Sequence, residues 1–327
     1  MKIARLVYKD QVPSIEVEKN VLGDKGTIDI IIFDDAAGDT EKLISDLLPY
    51  DGILTDYVPL SREILSRLPN CKVISVAATG WTAVDTEAAS DYGKYVCAIG
   101  EYCTQEVADH TMALLLALER RVVFFNDLVH RRKKWDWQAA PDMERIEGQT
   151  LGILGLGKIG QAVARRARAF GIKVIAYDPY LPPEVAAKLE VPLKSLDEVL
   201  AESNFISIHM AVDQSNSGLL SYAKFKMMAK KPFIINVARG AALEEADLIR
   251  ALDEGLVKGA ALDVLNSESA DMTGNPLADN DKVILTPHIA FYSKTSLYLN
   301  NKISMDNIIF VLEGELDQTN KIVSSPR

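Results

Sequence analysis

The sequence predicts an α/β protein built from two doubly wound parallel sheets, and three observations carry that prediction. Strand and helix patterns alternate over residues 1 to about 100. They alternate again over residues 150 to 290, with more strands. The second run opens on Thr150-Leu-Gly-Ile-Leu-Gly-Leu-Gly-Lys-Ile-Gly160, a short apolar strand that breaks into a glycine turn and then a helix. The 327 residues are enough for two ordinary domains with a large core.

In chain order, the first run offers strands at Ile3–Val7, Ile28–Phe33, Gly52–Leu54, Val73–Val76 and Tyr95–Cys97, with helices at Thr40–Leu48, Ser61–Leu68 and Val84–Tyr92. From Thr104 to about Lys134 the pattern reads as one long helix. Thr104 is placed to cap it, Glu106 lies in its first turn, and Val107, Thr111, Leu114, Leu115 and Leu118 recur at helical spacing. The segment from Arg120 to Gly148 reads as an extended arm. Its Trp135 and Trp137 fit internal core or, better, a subunit interface, where aromatic residues are enriched. The run His130-Arg-Arg-Lys-Lys134 fits a solvated helix end, which favours cations. The second run offers strands at Leu151–Leu154, Lys173–Tyr177, Phe205–His209, Phe233–Val237, Gly259–Asp263 and Val283–Thr286. A final helix, about Ser293 to Glu313, has room to cross back and complete the first unit. The first domain is then discontinuous, residues 1–101 and 293–327, and encloses a second of residues 102–292 whose arm spans about 104–148.

Composition narrows the class. Hydrophobic content of 48% and charged content of 25% are ordinary for a soluble globular protein. A net charge of −10 argues against nucleic-acid and anionic-membrane partners and requires that an anionic substrate be held by local cations. The cysteines, Cys71, Cys97 and Cys103, are odd in number and form no CxxC, so neither a disulfide framework nor a zinc site is expected, and a reducing cytoplasm is the natural setting. The N-terminus reads as a strand rather than a signal peptide, and the most apolar run, Met112 to Leu118, is far too short to span a bilayer.

Each part of the glycine segment has a physical task. Gly155 permits the tight turn, Gly157 lets a pyrophosphate approach the backbone, and Gly160 lets the helix pack close on the strand. The N–H groups and positive dipole end of that helix suit a phosphate. Asp178, at the end of the following strand, is placed to accept from both ribose hydroxyls of NAD. It would repel a 2′-phosphate, and Pro179-Tyr180 bring no cation to hold one, so NAD is expected rather than NADP.

Three polar signals lie just beyond strand ends in the second run, where ligands sit in open α/β sheets. They are Asn236-Val-Ala-Arg-Gly240, Ala261-Leu-Asp-Val-Leu-Asn-Ser-Glu268 and Thr286-Pro-His288. Together they bring Arg239, Glu268 and His288 to one edge, the set a keto-acid reductase needs. The cation clamps a carboxylate, the imidazolium protonates the carbonyl oxygen, and the carboxylate orients the ring and favours its charged form. Of the four histidines, His110 reads as structural or interfacial on its amphipathic helix and His130 belongs to the basic run. His209 ends a strand, which suits the rim of the cofactor site better than proton transfer. In the first run, Thr79 and Gly80, after Val73-Ile-Ser-Val-Ala-Ala78, are placed to turn N–H groups toward a substrate carboxylate, a half-site between the domains.

With these motifs in hand, the chain resembles the D-isomer-specific 2-hydroxyacid dehydrogenases from about residue 50 to its C-terminus. Gly155–Gly160 with Asp178, Asn236–Gly240, Ala261–Val264 with Glu268, Thr286–His288, Tyr102-Cys-Thr-Gln-Glu-Val-Ala-Asp-His110 and Trp135-Asp-Trp137 carry the resemblance. It implies a Rossmann NAD-binding domain inserted in a flavodoxin-like substrate domain, a homodimer, and reversible NADH-dependent reduction of a 2-keto acid to the D-2-hydroxy acid. It implies Arg239 on the substrate carboxylate and carbonyl, His288 as acid/base and Glu268 as its partner. It further implies Lys158 and Ile159 against the pyrophosphate, Val237, Ala238 and Arg239 along the nicotinamide, and Asp263 on the carboxamide.

Ala77-Ala-Thr-Gly80 and Leu54-Thr-Asp-Tyr-Val-Pro-Leu60 resemble the glycerate dehydrogenases (hydroxypyruvate reductases). By contrast, His288-Ile-Ala-Phe-Tyr-Ser293 resembles the D-lactate dehydrogenases and the C-terminal-binding corepressors of the same fold. Ala78, Ala211 and Ser269 depart from common family residues and bear on pocket shape, as do the bulky Tyr57, Trp81, Phe291 and Tyr292. An NAD(H)-sensing corepressor-like binding protein is the alternative to an enzyme. Formate or phosphite as donor is a third reading. With the chain ending at Arg327, no regulatory extension of the phosphoglycerate dehydrogenase kind is expected.

Overall fold

Five apolar runs in the first third of the chain become parallel strands: β1 (Lys2–Tyr8), β2 (Thr27–Phe33), β3 (Gly52–Thr55), β4 (Val73–Val76) and β5 (Tyr95–Cys97). Their spatial order is β2-β1-β3-β4-β5, the doubly wound order of flavodoxin-like sheets. A short C-terminal strand, Ile322–Ser324, closes the edge antiparallel to β5. β3 and β4 are buried along their whole length, as expected of central parallel strands with both faces covered. The computed structural model describes residues 1–34, 39–140, 143–268 and 271–327. In it, residues Met1–Tyr102 and Ser293–Arg327 form one unit and Cys103–Tyr292 the other.

The returning helix, Lys294–Glu313, explains the discontinuity of the first unit. Met305, Ile308 and Ile309 bury against Ile3, Leu54 and Val73. Its start is fixed by a reciprocal cap between Ser293 and Ser296, and its end by Gly314 in the left-handed conformation. On its inward face, Asn300 donates to the Ala77 carbonyl at 2.8 Å and Asn307 to the Ala98 carbonyl at 3.3 Å. The helix Glu16–Leu22, which joins β1 to β2, escaped the pattern reading. An inward position on it is held by Glu18, fully buried 3.7 Å from Arg5 Nε, so the apolar periodicity is broken where it matters. Burial pushes the Glu18 carboxyl above the usual range.

The second unit carries β6 (Thr150–Leu154), β7 (Lys173–Tyr177), β8 (Phe205–Ile208), β9 (Phe233–Asn236), β10 (Gly259–Leu262) and β11 (Val283–Leu285). All are parallel, in the order β7-β6-β8-β9-β10-β11. Leu193 makes a single parallel bridge to Ala176 on the outer edge of β7, where a Rossmann sheet has its third strand. The strand order therefore reverses between β6 and β8, and the crevice at that switch point is where a dinucleotide binds.

Two expectations need correction. The stretch 104–134 is not one helix but two, Thr104–Glu119 and Val122–His130. They break at Arg121, whose φ of 52° is left-handed and whose guanidinium lies 5.6 Å from the Phe233 ring centre. The N-cap of the first is Cys103, without a side-chain cap, and Thr104 is already helical. In this chain Trp135 and Trp137 are 92% and 80% exposed, so they are not internal core. The basic run ends the second helix, with Arg131 and Arg132 paired to Asp127, and Arg132 also to Asp281. Among the described residues no helix is long and apolar enough to cross a membrane, and no group of three His, Cys, Asp or Glu is placed to hold a metal ion.

Candidate active site

The turn after β6 is built as its glycines require. Gly155 has a φ of 92°, and a Cβ there would lie 2.6 Å from Met210 N, so the turn presses against the chain leaving β8. At Gly160 a Cβ would meet the Gly155 carbonyl oxygen at 2.3 Å, so only glycine lets this helix start so close to the turn. At Gly157 a Cβ would meet nothing within 4 Å. The helix Lys158–Ala169 begins here, and its Gly157 N-cap offers no side chain to the first-turn N–H groups. Open space at an uncapped helix start fits a pyrophosphate. Lys158 is exposed, while Ile159 packs on the core.

Asp178 leaves the end of β7 and fixes the turn. Its Oδ2 accepts from Leu156 N at 2.9 Å, and its Oδ1 accepts from Tyr180 N and Leu181 N, both at 3.0 Å. A carboxylate has lone pairs beyond these for ribose hydroxyls. His209 follows β8 across the switch point. Its Nε2 pairs with Ser207 Oγ at 2.8 Å, its Nδ1 is buried without a partner, and burial pushes the imidazole down to about 3. A ring held neutral in this way is unsuited to donating protons at physiological pH.

The second cluster is assembled from three turns beyond β9, β10 and β11. Buried Asn236 closes the first turn: its Nδ2 donates to the Arg239 carbonyl at 2.8 Å and its Oδ1 accepts from Ala238 N at 3.1 Å. Val237 and Ala238 are half-buried, and the exposed Arg239 bonds the Ala238 carbonyl at 2.7 Å. Gly240 sits against the second turn, where a Cβ would be 2.1 Å from the Leu265 carbonyl carbon. That close approach ties the Arg239 turn to the loop that carries Glu268. Asn266 N is in turn held by Glu245 Oε1 at 2.6 Å. His288 Nδ1 lies 2.8 Å from Glu268 Oε2, so the expected pair is formed. His288 has a φ of 52°, a left-handed conformation rare outside glycine. The aromatic edge of Phe291 stands against its ring at 6.1 Å between centres.

Asp263 holds that conformation. It is 1% exposed, and its Oδ1 accepts from Thr286 Oγ1 at 2.5 Å and Ile289 N at 2.9 Å, its Oδ2 from Ala290 N at 2.9 Å. Its carbonyl accepts from His288 N at 2.8 Å. His110, read from sequence as structural or interfacial, reaches this group with Nε2 3.1 Å from Thr286 Oγ1. Sequence reasoning placed Asn236 and Thr286 at strand ends but gave neither side chain a role. The only local signal was an asparagine or threonine at a strand end, where such side chains bond nearby backbone.

In the first unit, Thr79 is exposed and Gly80 half-buried, on a turn anchored by Ala77 N to the Thr55 carbonyl at 2.8 Å and Ile99 N to the Ala78 carbonyl at 3.1 Å. Trp81 packs on the core beneath Lys321, whose Nζ is 4.1 Å from its ring centre. Tyr57 and Tyr292 are 61% and 63% exposed. Ser269 lies outside the described residues.

The model of the D-isomer specific 2-hydroxyacid dehydrogenase NAD binding domain matches residues 112–290. The chain belongs to that family. Hydroxypyruvate reductase of Blautia hydrogenotrophica is 33% identical over 283 residues, covering 84% of this chain and 86% of its own. D-3-phosphoglycerate dehydrogenase of Methanocaldococcus jannaschii is 34% identical over 268 residues, 82% of this chain, which spans half of that longer relative. D-lactate dehydrogenase of Aquifex aeolicus, solved with NAD and lactic acid, superposes with a TM-score of 0.83 at 27% identity over 99% of this chain and 100% of its own. This D-2-hydroxyacid dehydrogenase is an NAD-dependent oxidoreductase. The open, uncapped turn at Gly157 and the acid at Asp178 fit that cofactor.

Proposed function

We propose that the protein reduces a small 2-keto acid of the hydroxypyruvate or glyoxylate kind to its D-2-hydroxy acid, reversibly, with Arg239, Glu268 and His288 as its working residues. The His288–Glu268 pair at 2.8 Å carries the reading. NADH supplies the hydride. Glu268 takes Nδ1 of the ring, which leaves Nε2 as the proton-bearing face for the carbonyl oxygen. Arg239 supplies the cation that an acidic protein must provide locally for a carboxylate. Thr79 and Gly80 are the first unit's substrate candidates. Lys158, Ile159, Val237, Ala238, His209 and Asp263 are the further cofactor candidates. The likeness to a hydroxypyruvate reductase and the Ala77–Gly80 loop favour a small substrate.

The protein is also proposed to be a homodimer joined through the arm. Trp135 and Trp137 stand in solvent, with Val122 and Val123 57% and 51% exposed on the helix before them. The three cysteines, all buried, fit a cytoplasmic setting. The test of substrate is NADH oxidation against hydroxypyruvate, glyoxylate, pyruvate, 2-ketoisocaproate, phenylpyruvate and oxaloacetate, each repeated with NADPH. Preference for a two- or three-carbon acid with NADH is expected. Preference for phenylpyruvate, or equal use of NADPH, contradicts the proposal.

A further inference from the structure

We infer that His110 is a positioning residue for the acid/base histidine, acting through Thr286 and Asp263. The inference rests on His288 being that acid/base. A histidine at φ 52° lies in the left-handed region and persists only where its surroundings over-determine it. Here the restraint is a chain of hydrogen bonds. A carboxylate only accepts, so the Thr286 hydroxyl spends its single proton on Asp263 Oδ1. Toward His110 Nε2, 3.1 Å away, that oxygen can then only accept, and His110 must carry its proton on Nε2. His110 Nε2 also lies 3.6 Å from Asp263 Oδ1.

Asp263, so held, binds the amides of Ile289 and Ala290 with its side chain and that of His288 with its carbonyl. Three consecutive amides that would otherwise let the turn relax are thereby committed. His110 sits on the helix Thr104–Glu119, whose Val107, Ala108, Thr111, Met112, Leu114 and Leu115 are buried, so the far end of the chain of bonds is anchored in the core. Loss of the Nε2 donor frees Thr286 to rotate and Asp263 to turn, and the His288 turn then samples other conformations.

The test compares wild type with His110→Ala, His110→Gln and Thr286→Val, the last removing the hydroxyl at constant shape. Glutamine keeps a donor at similar reach. Amide hydrogen exchange at Ile289 and Ala290 is measured in enzyme without keto acid, and kcat and KM are measured with NADH. Exchange in His110→Ala and Thr286→Val is expected to rise at least tenfold and kcat to fall at least tenfold, with keto-acid KM within threefold. His110→Gln restores exchange and kcat to within threefold of wild type. Unchanged exchange or unchanged kcat in both of the donor-deleting variants overturns the inference, as does a glutamine variant as impaired as alanine. A wild type that reduces no keto acid refutes the proposed reaction instead, and the exchange measurement still decides whether His110 holds the turn.

Discussion

Gly240→Ala tests whether the Arg239 turn and the Glu268 loop act as one unit. The added Cβ would sit 2.1 Å and 2.2 Å from the Leu265 carbonyl carbon and oxygen and 2.4 Å from Asn266 N. All three are backbone atoms, so no side chain can swing aside. Ordinary contact between carbons begins near 3.5 Å, so the two segments must part by roughly 1 Å. A misplacement of about 1 Å in catalytic groups costs on the order of 100-fold in rate, or about 2.7 kcal/mol in transition-state stabilisation. Overpacking of this kind costs roughly 1–3 kcal/mol in stability, which leaves a two-domain protein folded with its melting temperature lowered by several degrees. The assay is steady-state keto-acid reduction beside a thermal melt and NADH binding. Expected are a fall in kcat/KM of about 100-fold and a smaller loss of NADH binding, because the 155–160 turn is untouched and only the Val237–Arg239 side of the cofactor site shifts. A kcat/KM within threefold of wild type would mean that the close packing at Gly240 does not set the position of Arg239.

Other substitutions separate roles the sequence lumps together. Gly157→Ala, with open space around the new methyl, is expected to melt like wild type and bind NADH at least tenfold more weakly. Gly160→Ala, 2.3 Å from a backbone oxygen, is expected to lower the melting temperature itself. Identical melts for the two would contradict this division. The His209 imidazole, its Nδ1 buried and its pKa lowered to about 3 from an ordinary 6.5, takes up its proton more readily in the unfolded chain. Its contribution is full above pH 6.5 and is lost as pH falls toward 3, with a slope of at most about 1.4 kcal/mol per pH unit. Wild type is therefore expected to lose stability faster than His209→Gln between pH 6.5 and 4, and parallel curves would show that His209 is not held neutral. Replacing both Trp135 and Trp137 by serine is expected to shift the protein from dimer to monomer in sedimentation without lowering NADH binding more than threefold. An unshifted dimer would place the interface elsewhere.

What was legible in the sequence is what local chain geometry dictates. The Gly155, Gly157 and Gly160 spacing, the acid at Asp178 and the strand ends at Asn236 and Thr286 each encode a turn within a few residues, and the structure forms those turns. The His288–Glu268 pair was also within reach, because parallel strands put consecutive strand ends on one edge. What was not legible depends on distant partners. His110 meets Thr286 across 176 residues, and nothing near either position announces it. The helix Glu16–Leu22 turns its buried glutamate toward Arg5, a pairing visible only in three dimensions. The strand Ile322–Ser324 is three residues long and owes its existence to β5. The break at Arg121 lies inside a pattern whose apolar spacing continues, so periodicity alone runs two helices together.

In the proposed reaction His288, oriented by Glu268, passes a proton to a keto acid as NADH reduces it. The most direct measurement is turnover of the best keto acid by wild type, His288→Ala and Glu268→Gln at saturating NADH, with NADH binding followed separately by fluorescence. Both variants are expected to bind NADH within threefold of wild type. His288→Ala is expected to lose at least 1,000-fold in kcat, within the range of general acid catalysis, and Glu268→Gln at least tenfold. Turnover by His288→Ala within tenfold of wild type would contradict proton transfer by His288.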